Sequence, residues 1–94
     1  MGHGRRDSTH GAVRRTLRDL GCSVADTADL GSDFPDLVVG LRGRDYLVEA
    51  KSAKGELSDG QATFAQTWRG AKPVVLRSAQ EATAWVLAKC RGAA

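Results

Sequence analysis

The sequence predicts one domain of the α/β (α+β) class, in which helices flank a mixed central β-sheet. Its 94 residues leave room for a single hydrophobic core. Along the chain, segments with helical spacing of apolar residues alternate with short β-branched runs. No stretch rich in Pro, Gly or Ser separates modules. These observations predict the order helix, strand, strand, strand, helix, strand, helix, in three layers and over residues 1–94.

The composition excludes several classes of protein. It is 41% hydrophobic and 27% charged, which is near the average for globular domains and argues against disorder. The longest apolar stretch, Leu37-Val38-Val39, is too short to span a membrane, and no apolar stretch follows the N-terminal arginines as a secretory signal requires. We therefore expect a cytoplasmic protein with no membrane partner. Cys22 and Cys90 lack zinc-site spacing and are expected to be small buried hydrophobes.

The first predicted helix runs from residue 8 to residue 20, where apolar side chains recur about one turn apart. These side chains are Val13, Leu17 and Leu20. Asp7 or Ser8 is suited to cap its start and Gly21 to end it. The first 18 residues hold five arginines against one aspartate, and residues 1–6 are expected to form a flexible basic tail. This charge could contact phosphate backbones, or it could simply be a solvated helix face.

A predicted hairpin follows a short strand at 22–28 and a loop at 31–33. Its strands, 35–41 and 46–51, are bounded by the turn residues 42–45. A two-residue turn at Gly43-Arg44 would place Val38 opposite Glu49 and Asp36 opposite Lys51. Asp36 and Glu49 would then lie diagonally across the two strands.

The last part of the chain predicts a helix, a short strand and a final helix. Capping boxes at Ser58 to Gln61 and at Ser78 to Glu81 begin the two helices, and Pro73 begins the strand between them. The middle helix should end at Gly70. The final helix should bury Ala82, Trp85, Val86 and Cys90. Trp68 and Trp85 lie on apolar helix faces, which favours core packing over stacking on nucleic-acid bases.

Three side chains that can carry chemistry converge at one end of the hairpin. Asp36 and Glu49 supply the hard oxygen ligands that suit Mg²⁺ or Mn²⁺. Lys51 could orient an attacking water and stabilise the charge that develops on phosphorus. A surface cluster of two acids and a lysine without chemical function has the same spacing, so spacing alone does not decide between the two interpretations.

These residues also carry a family resemblance. Pro35-Asp36, followed after twelve residues by Glu49-Ala50-Lys51, resembles the PD-(D/E)xK motif of restriction-endonuclease-like nucleases. The longer runs 34–40, 46–51, 57–61 and 68–70 resemble the VRR-NUC branch, in particular its small stand-alone phage-type members. The likeness extends from about Arg5 to Val86. It implies a restriction-endonuclease-like core and a Mg²⁺- or Mn²⁺-dependent DNA endonuclease of a bacterial or phage-infected cell, acting on junction, flap or branched DNA.

The resemblance also implies roles for single residues. Asp36 and Glu49 match the metal-binding acids, Ala50 matches the position whose carbonyl completes the metal shell, and Lys51 matches the catalytic lysine. Gln61 matches a catalytic glutamine and is equally the capping partner of Ser58. These five positions form the core of the implied site.

Residues of the first helix and nearby loops complete the implied site. Asp7 is the better match to an acid on the first helix, although it is equally suited as an N-cap; Asp19 fits less well. Arg5, Arg6 and Lys54 would hold DNA phosphates. His10 could assist at the metal or contact phosphate, or it could be a partly exposed helical histidine.

Some features depart from the family or leave the function open. Phe34 stands where related sequences often have glycine, and Ala50 is smaller than the β-branched residue common there. A homodimer is expected, since two copies could cut both strands of a symmetric substrate. Two alternatives are a non-catalytic nucleic-acid-binding module that retains the fold and a small interaction protein. The complete set of Asp36, Glu49 and Lys51 favours the nuclease.

Overall fold

The computed structural model describes residues 8–92, which fold as helices on a four-stranded sheet. The elements are α1 (Ser8–Asp19), β1 (Ser23–Asp26), β2 (Leu37–Leu41), β3 (Arg44–Ala50), α2 (Asp59–Thr67), β4 (Val74–Leu76) and α3 (Ala79–Gly92). The strand order is β1-β2-β3-β4. The first three strands are antiparallel neighbours, and β4 is parallel to β3. The predicted α+β class with a mixed sheet is confirmed.

Helix α1 ends in a glycine cap. Gly21 has a φ of +97°, its N–H donates to the carbonyl of Arg18 and the N–H of Cys22 donates to the carbonyl of Leu17. This pair of bonds satisfies carbonyls that the helix end would otherwise leave without partners. Leu20 therefore lies beyond the helix and is 39% exposed, so its predicted place in the buried stripe is wrong.

The hairpin turn differs from the prediction by two residues of register. Arg42 and Gly43 both have positive φ, +54° and +82°, as a type I′ turn requires. Leu41 consequently pairs with Arg44, and Val38 lies opposite Leu47 instead of Glu49. The prediction placed the two turn residues one position later, at Gly43-Arg44. Here the glycine occupies the second central position.

The core lies between one face of the sheet and the pair α1 and α3, which pack against each other. Alternate residues of β2 point into it, together with Val48 and Leu76. The helices contribute Val13, Leu17, Ala82 and Val86. Cys22 is buried as predicted, while Cys90 is only half-buried; both are free thiols.

Helix α2 is attached through an aromatic cluster. It contains no fully buried side chain. Phe34, in the loop before β2, meets Phe64 edge to face with ring centroids 5.6 Å apart, and Phe64 stacks on Trp68 at 4.9 Å. Trp68 is 43% exposed, so its predicted core position is wrong. Trp85 packs against the core and against the ring of Tyr46.

Both predicted capping boxes are present at helix starts, one in altered form. Ser58 and Gln61 exchange both reciprocal bonds at α2. At α3 the Ser78 hydroxyl accepts from the N–H of Glu81, but the Glu81 carboxylate accepts from the N–H of Arg77, one residue earlier than in a standard box. Within residues 8–92 no helix is both long and apolar enough to span a membrane.

Candidate active site

The two acids of the predicted site face each other across the hairpin. Leu37 lies opposite Val48, so the next pair in the same register is Asp36 with Glu49. The backbone N–H of Ala50 donates to Asp36 Oδ2 at 3.0 Å. The corrected register therefore replaces the predicted diagonal arrangement with a direct one, and it brings the carboxylates closer together.

Thr27 holds the Pro35-Asp36 segment from its other side. Its N–H donates to the carbonyl of Asp36 at 2.8 Å, and its hydroxyl donates to the carbonyl of Pro35 at 2.7 Å. Pro35 is buried. Because Asp36 precedes β2 instead of lying within it, these contacts fix its position. The sequence analysis missed Thr27, whose only signal is its place at the end of the first strand.

Glu49 is an acid placed at an unfavourable position. Glu49 is 3% exposed, and its Oε1 has no hydrogen-bond partner among residues 8–92. Burial, followed by the negative charge of Asp36, raises the pKa of Glu49 to about 7, with a smaller contribution from Asp33. The ammonium group of Lys51 opposes this shift. A carboxylate without a partner at this depth costs stability unless a cation neutralises it.

An open groove of about 340 Å³ gives access to the site. It is lined by Asp36, Ala50 and Lys51 from the sheet, Thr9 and His10 from α1, and Ser52 and Gly55 from the loop after β3. Arg77 fixes that loop, since its Nη1 donates to the carbonyls of Ser52 and Gly55 at 2.7 and 2.6 Å. Arg77 therefore fixes one wall of the groove, a role that the sequence did not reveal.

His10 is buried, not partly exposed as expected for a histidine without a role. It is 6% exposed, and its Nε2 lies 3.5 Å from Asp26 Oδ1 without forming a hydrogen bond. Asp26 also accepts from Arg14 and from the N–H of Ala28. Partial burial would raise the pKa of Asp26, but these bonds and the nearby His10 lower it overall. His10 is thus packed between Asp26 and the groove.

The other predicted site residues are placed less closely. The side chain of Gln61 accepts from the N–H of Ser58 at 2.9 Å, so its carboxamide oxygen is engaged in the helix cap. Lys54 is exposed on the loop after β3. Arg5, Arg6 and Asp7 lie outside the described residues.

Asp33 is a further acid near the site that the sequence analysis missed. It adds to the negative charge around Glu49, and its carboxylate occupies the space that a Cβ at position 60 would need. Only glycine fits there while Asp33 keeps this position. Asp33 and the preceding Ser32 have φ values of +62° and +55°, which non-glycine residues adopt at a cost. The sequence Gly31-Ser32-Asp33 signals a turn but not this contact.

The donor set fits a hard divalent cation. Within residues 8–92 no three His, Cys, Asp or Glu side chains form a metal-binding group on their own. Mg²⁺ needs fewer, because it is commonly held by one or two carboxylates with waters and substrate phosphate as the remaining ligands. The unpartnered Oε1 of Glu49 beside Asp36 is the position at which a cation would relieve the repulsion between the two acids.

Comparison with known proteins identifies no relative of this chain. Neither the protein-family models nor the curated proteins that were searched match this chain. The functional assignment therefore depends on the geometry and chemistry of the site.

Proposed function

We propose that this protein is a Mg²⁺- or Mn²⁺-dependent DNA endonuclease with a restriction-endonuclease-like core of the VRR-NUC type. The observation that carries the proposal is the buried carboxyl group of Glu49, whose Oε1 has no hydrogen-bond partner among residues 8–92, opposite Asp36 and two residues before Lys51. Its substrate is DNA of branched, flapped or junction form, and a homodimer would cut both strands of a symmetric junction.

A purely structural role for the acids does not account for their placement. Structural carboxylates in this chain are partnered: Asp26 accepts from Arg14, and Glu81 accepts from the N–H of Arg77. Glu49 Oε1 has no hydrogen-bond partner among the described residues, and the side chain with which Glu49 does share a hydrogen bond is a second acid, Asp36. An uncompensated buried charge is destabilising, so its retention suggests a cationic ligand.

Each residue has a distinct proposed part in phosphodiester hydrolysis. Asp36, Glu49 and the carbonyl of Ala50 would hold the cation, which when bound supplies charge neutralisation at the scissile phosphate. Lys51 follows Glu49 by two residues and so projects to the same side of the chain. Its ammonium group would orient the attacking water and stabilise the charge that builds on the phosphate oxygens.

The lysines at the groove suit a polyanionic substrate. Lys51 lines the groove, and Lys54 is exposed on the loop after β3 that forms one of its walls. A domain of this size offers little surface for reading a long base sequence. Recognition of DNA structure is therefore the more natural basis for specificity.

The test is a cleavage panel of labelled single-stranded, duplex, flap and four-way-junction DNA with Mg²⁺, Mn²⁺ or EDTA. Lys51→Met should abolish cutting, while Lys72→Met, which removes the same charge from an exposed position outside the groove, should retain most of it. Cutting that ignores EDTA, or that persists in Lys51→Met, would contradict the proposal. DNA binding that is unchanged by EDTA and by Glu49→Gln, with no cutting by the folded protein, would instead support a non-catalytic binding module.

A further inference from the structure

A second groove lies at the opposite end of the hairpin from the candidate active site. It has a volume of about 350 Å³ and lies between the hairpin turn and the last turns of α3. Arg42 and Arg44 line it from the hairpin, and Lys89 lines it from α3. The sequence analysis assigned none of these residues a function.

The side chains of these three cations form no ion pair in the described part of the chain. Elsewhere in residues 8–92, Arg14 pairs with Asp26 and Arg77 binds loop carbonyls. By contrast, the side chains of Arg42, Arg44 and Lys89 form no salt bridge or hydrogen bond with another described residue.

Among residues 8–92, no acid lines this groove to balance them. Asp45 lies between Arg44 and Tyr46 in sequence, but strand alternation places it on the other face, where its carboxylate lies close to Gly40. The groove is therefore a concave surface with a concentrated and unneutralised positive charge.

Arg42 occupies a backbone conformation that arginine does not favour. Its φ is +54°, at a turn position where Gly, Asn or Asp is usual. A residue retained in such a conformation suggests that its side chain has a use apart from the turn. Because the Arg42 side chain forms no salt bridge or hydrogen bond with another described residue, we expect it to contact a binding partner.

An aromatic surface holds the third cation in place. The Lys89 ammonium lies 5.5 Å from the centroid of the Tyr46 ring, and the Tyr46 ring meets Trp85 edge to face at 4.9 Å. The cation–π contact reduces the freedom of the lysine without neutralising its charge. The groove thus presents a partly ordered cation beside two guanidinium groups, which match phosphate oxygens in geometry and charge.

We propose that this groove binds backbone phosphates of DNA, as a contact separate from the candidate active site. The identity of the polyanion rests on the proposed function. Asp36 and Leu41 are five positions apart, which at about 3.4 Å per residue is roughly 17 Å. That distance equals about five base-pair steps of B-form DNA at roughly 3.4 Å each. Along the strands the two sites are thus about half a helical turn of DNA apart, and strand alternation places Glu49 on the face of the sheet opposite to Arg44 and Tyr46.

The test measures binding in EDTA, where no cleavage can occur. Fluorescence anisotropy with a labelled duplex and a labelled four-way junction is recorded over a range of salt concentrations for the wild type and Arg44→Gln/Lys89→Gln. The control, Arg69→Gln/Lys72→Gln, removes the same two charges from exposed positions outside the groove. Circular dichroism melts check that each variant is folded.

The groove variant should bind DNA at least about tenfold more weakly than the control variant. The slope of log K against log salt should fall in magnitude by about two, since each lost phosphate contact removes roughly 0.9. Equal loss in the two variants would mean that only the overall charge matters and would overturn the proposal. Absence of binding by the wild type would overturn it as well.

The outcome separates this inference from the proposed function. If binding depends on the groove but Mg²⁺ and Mn²⁺ give no cutting, the groove assignment stands and the nuclease assignment fails. If Lys51-dependent cutting is found while the groove variant binds like the control, the nuclease assignment stands and the groove assignment fails. With both correct, the groove variant should require more DNA for half-maximal cleavage and should keep the wild-type rate at saturating DNA.

Discussion

The carboxylate of Asp36 accepts a hydrogen bond from the backbone N–H of Ala50 at 3.0 Å, which ties the residue before β2 to the end of β3. One acid of the candidate site is thus positioned by the strand that carries the other. The bond engages Oδ2, so Oδ1 is the oxygen left for a ligand. Asp36 consequently has a structural role as a hydrogen-bond acceptor and a proposed chemical role as a metal ligand. Two substitutions can separate these roles.

Asp36→Asn should keep the fold and lose the activity. The amide oxygen can still accept from Ala50, and loss of the negative charge removes repulsion with Glu49, so we expect the metal-free variant to be at least as stable as the wild type. Asp36→Ala should be less stable than Asp36→Asn by about 1 kcal/mol, the usual net value of one hydrogen bond. Urea unfolding measures stability, and Mg²⁺ titration calorimetry measures binding, which both substitutions should weaken. Equal stability of the two variants would show that the bond contributes nothing.

The stability of the metal-free protein should fall as pH rises through the titration of Glu49. Its pKa is raised to about 7, so the folded state binds a proton that the unfolded state has already released. The contribution of Glu49 to stability is therefore most favourable below the ordinary glutamate pKa of about 4.3 and decreases between there and about pH 7, by roughly 3 to 4 kcal/mol. The charges that set this shift are Asp36, Asp33 and Lys51.

Urea unfolding in EDTA from pH 4.5 to pH 8 measures this dependence. Glu49→Gln is the control, because it removes the titrating group and should flatten the profile. Mg²⁺ should stabilise the wild type more at pH 8 than at pH 5, since the cation competes with the proton for the carboxylate. An identical pH profile in Glu49→Gln would rule out Glu49 as the source.

Gln61 should affect stability more than chemistry. Its side chain accepts from the N–H of Ser58, and its own N–H donates to the Ser58 hydroxyl. Gln61→Ala and Ser58→Ala each remove one half of the capping box, and each should cost about 1 kcal/mol of unfolding free energy. We expect both variants to cut DNA at similar rates below their melting temperatures. A much larger loss of cleavage in Gln61→Ala than in Ser58→Ala would assign the glutamine a catalytic part.

The sequence predicted the elements of this fold better than their exact pairing. Helical spacing and capping boxes identify the helices, because Val13, Leu17, Ala82 and Val86 are both periodic and buried. The hairpin register depended on which residues took the two turn positions. The predicted turn at Gly43-Arg44 is wrong because Arg42, although not a glycine, adopts a positive φ and takes the first turn position.

Tertiary contacts explain why parts of the candidate site were not foreseen. Asp36 and Glu49 could be identified from their motif, but the burial of His10 depends on how α1 lies against β1. The approach of Asp33 to Gly60 joins two loops that are distant in sequence. Trp68 was expected in the core because its helix face is apolar, yet it lies just past the end of α2, where its ring packs against Phe34 and Phe64.

Arg42→Asn should make the protein more stable and a weaker DNA binder. Asparagine tolerates the left-handed conformation that Arg42 adopts at a φ of +54°, so relief of strain should raise the unfolding free energy by roughly 1 kcal/mol. The same change removes a guanidinium from the groove between the hairpin turn and α3, so DNA affinity in EDTA should fall.

Arg44→Asn is the matched comparison for Arg42→Asn, since it removes a charge from the same groove at a strand position with ordinary φ. Asparagine is poorly suited to strands, so this variant should lose both stability and affinity. Urea unfolding gives the stability of each variant, and fluorescence anisotropy gives its affinity for DNA. If Arg42→Asn is no more stable than the wild type, the turn is not strained by arginine. If its affinity is unchanged, the strained side chain is not retained for DNA.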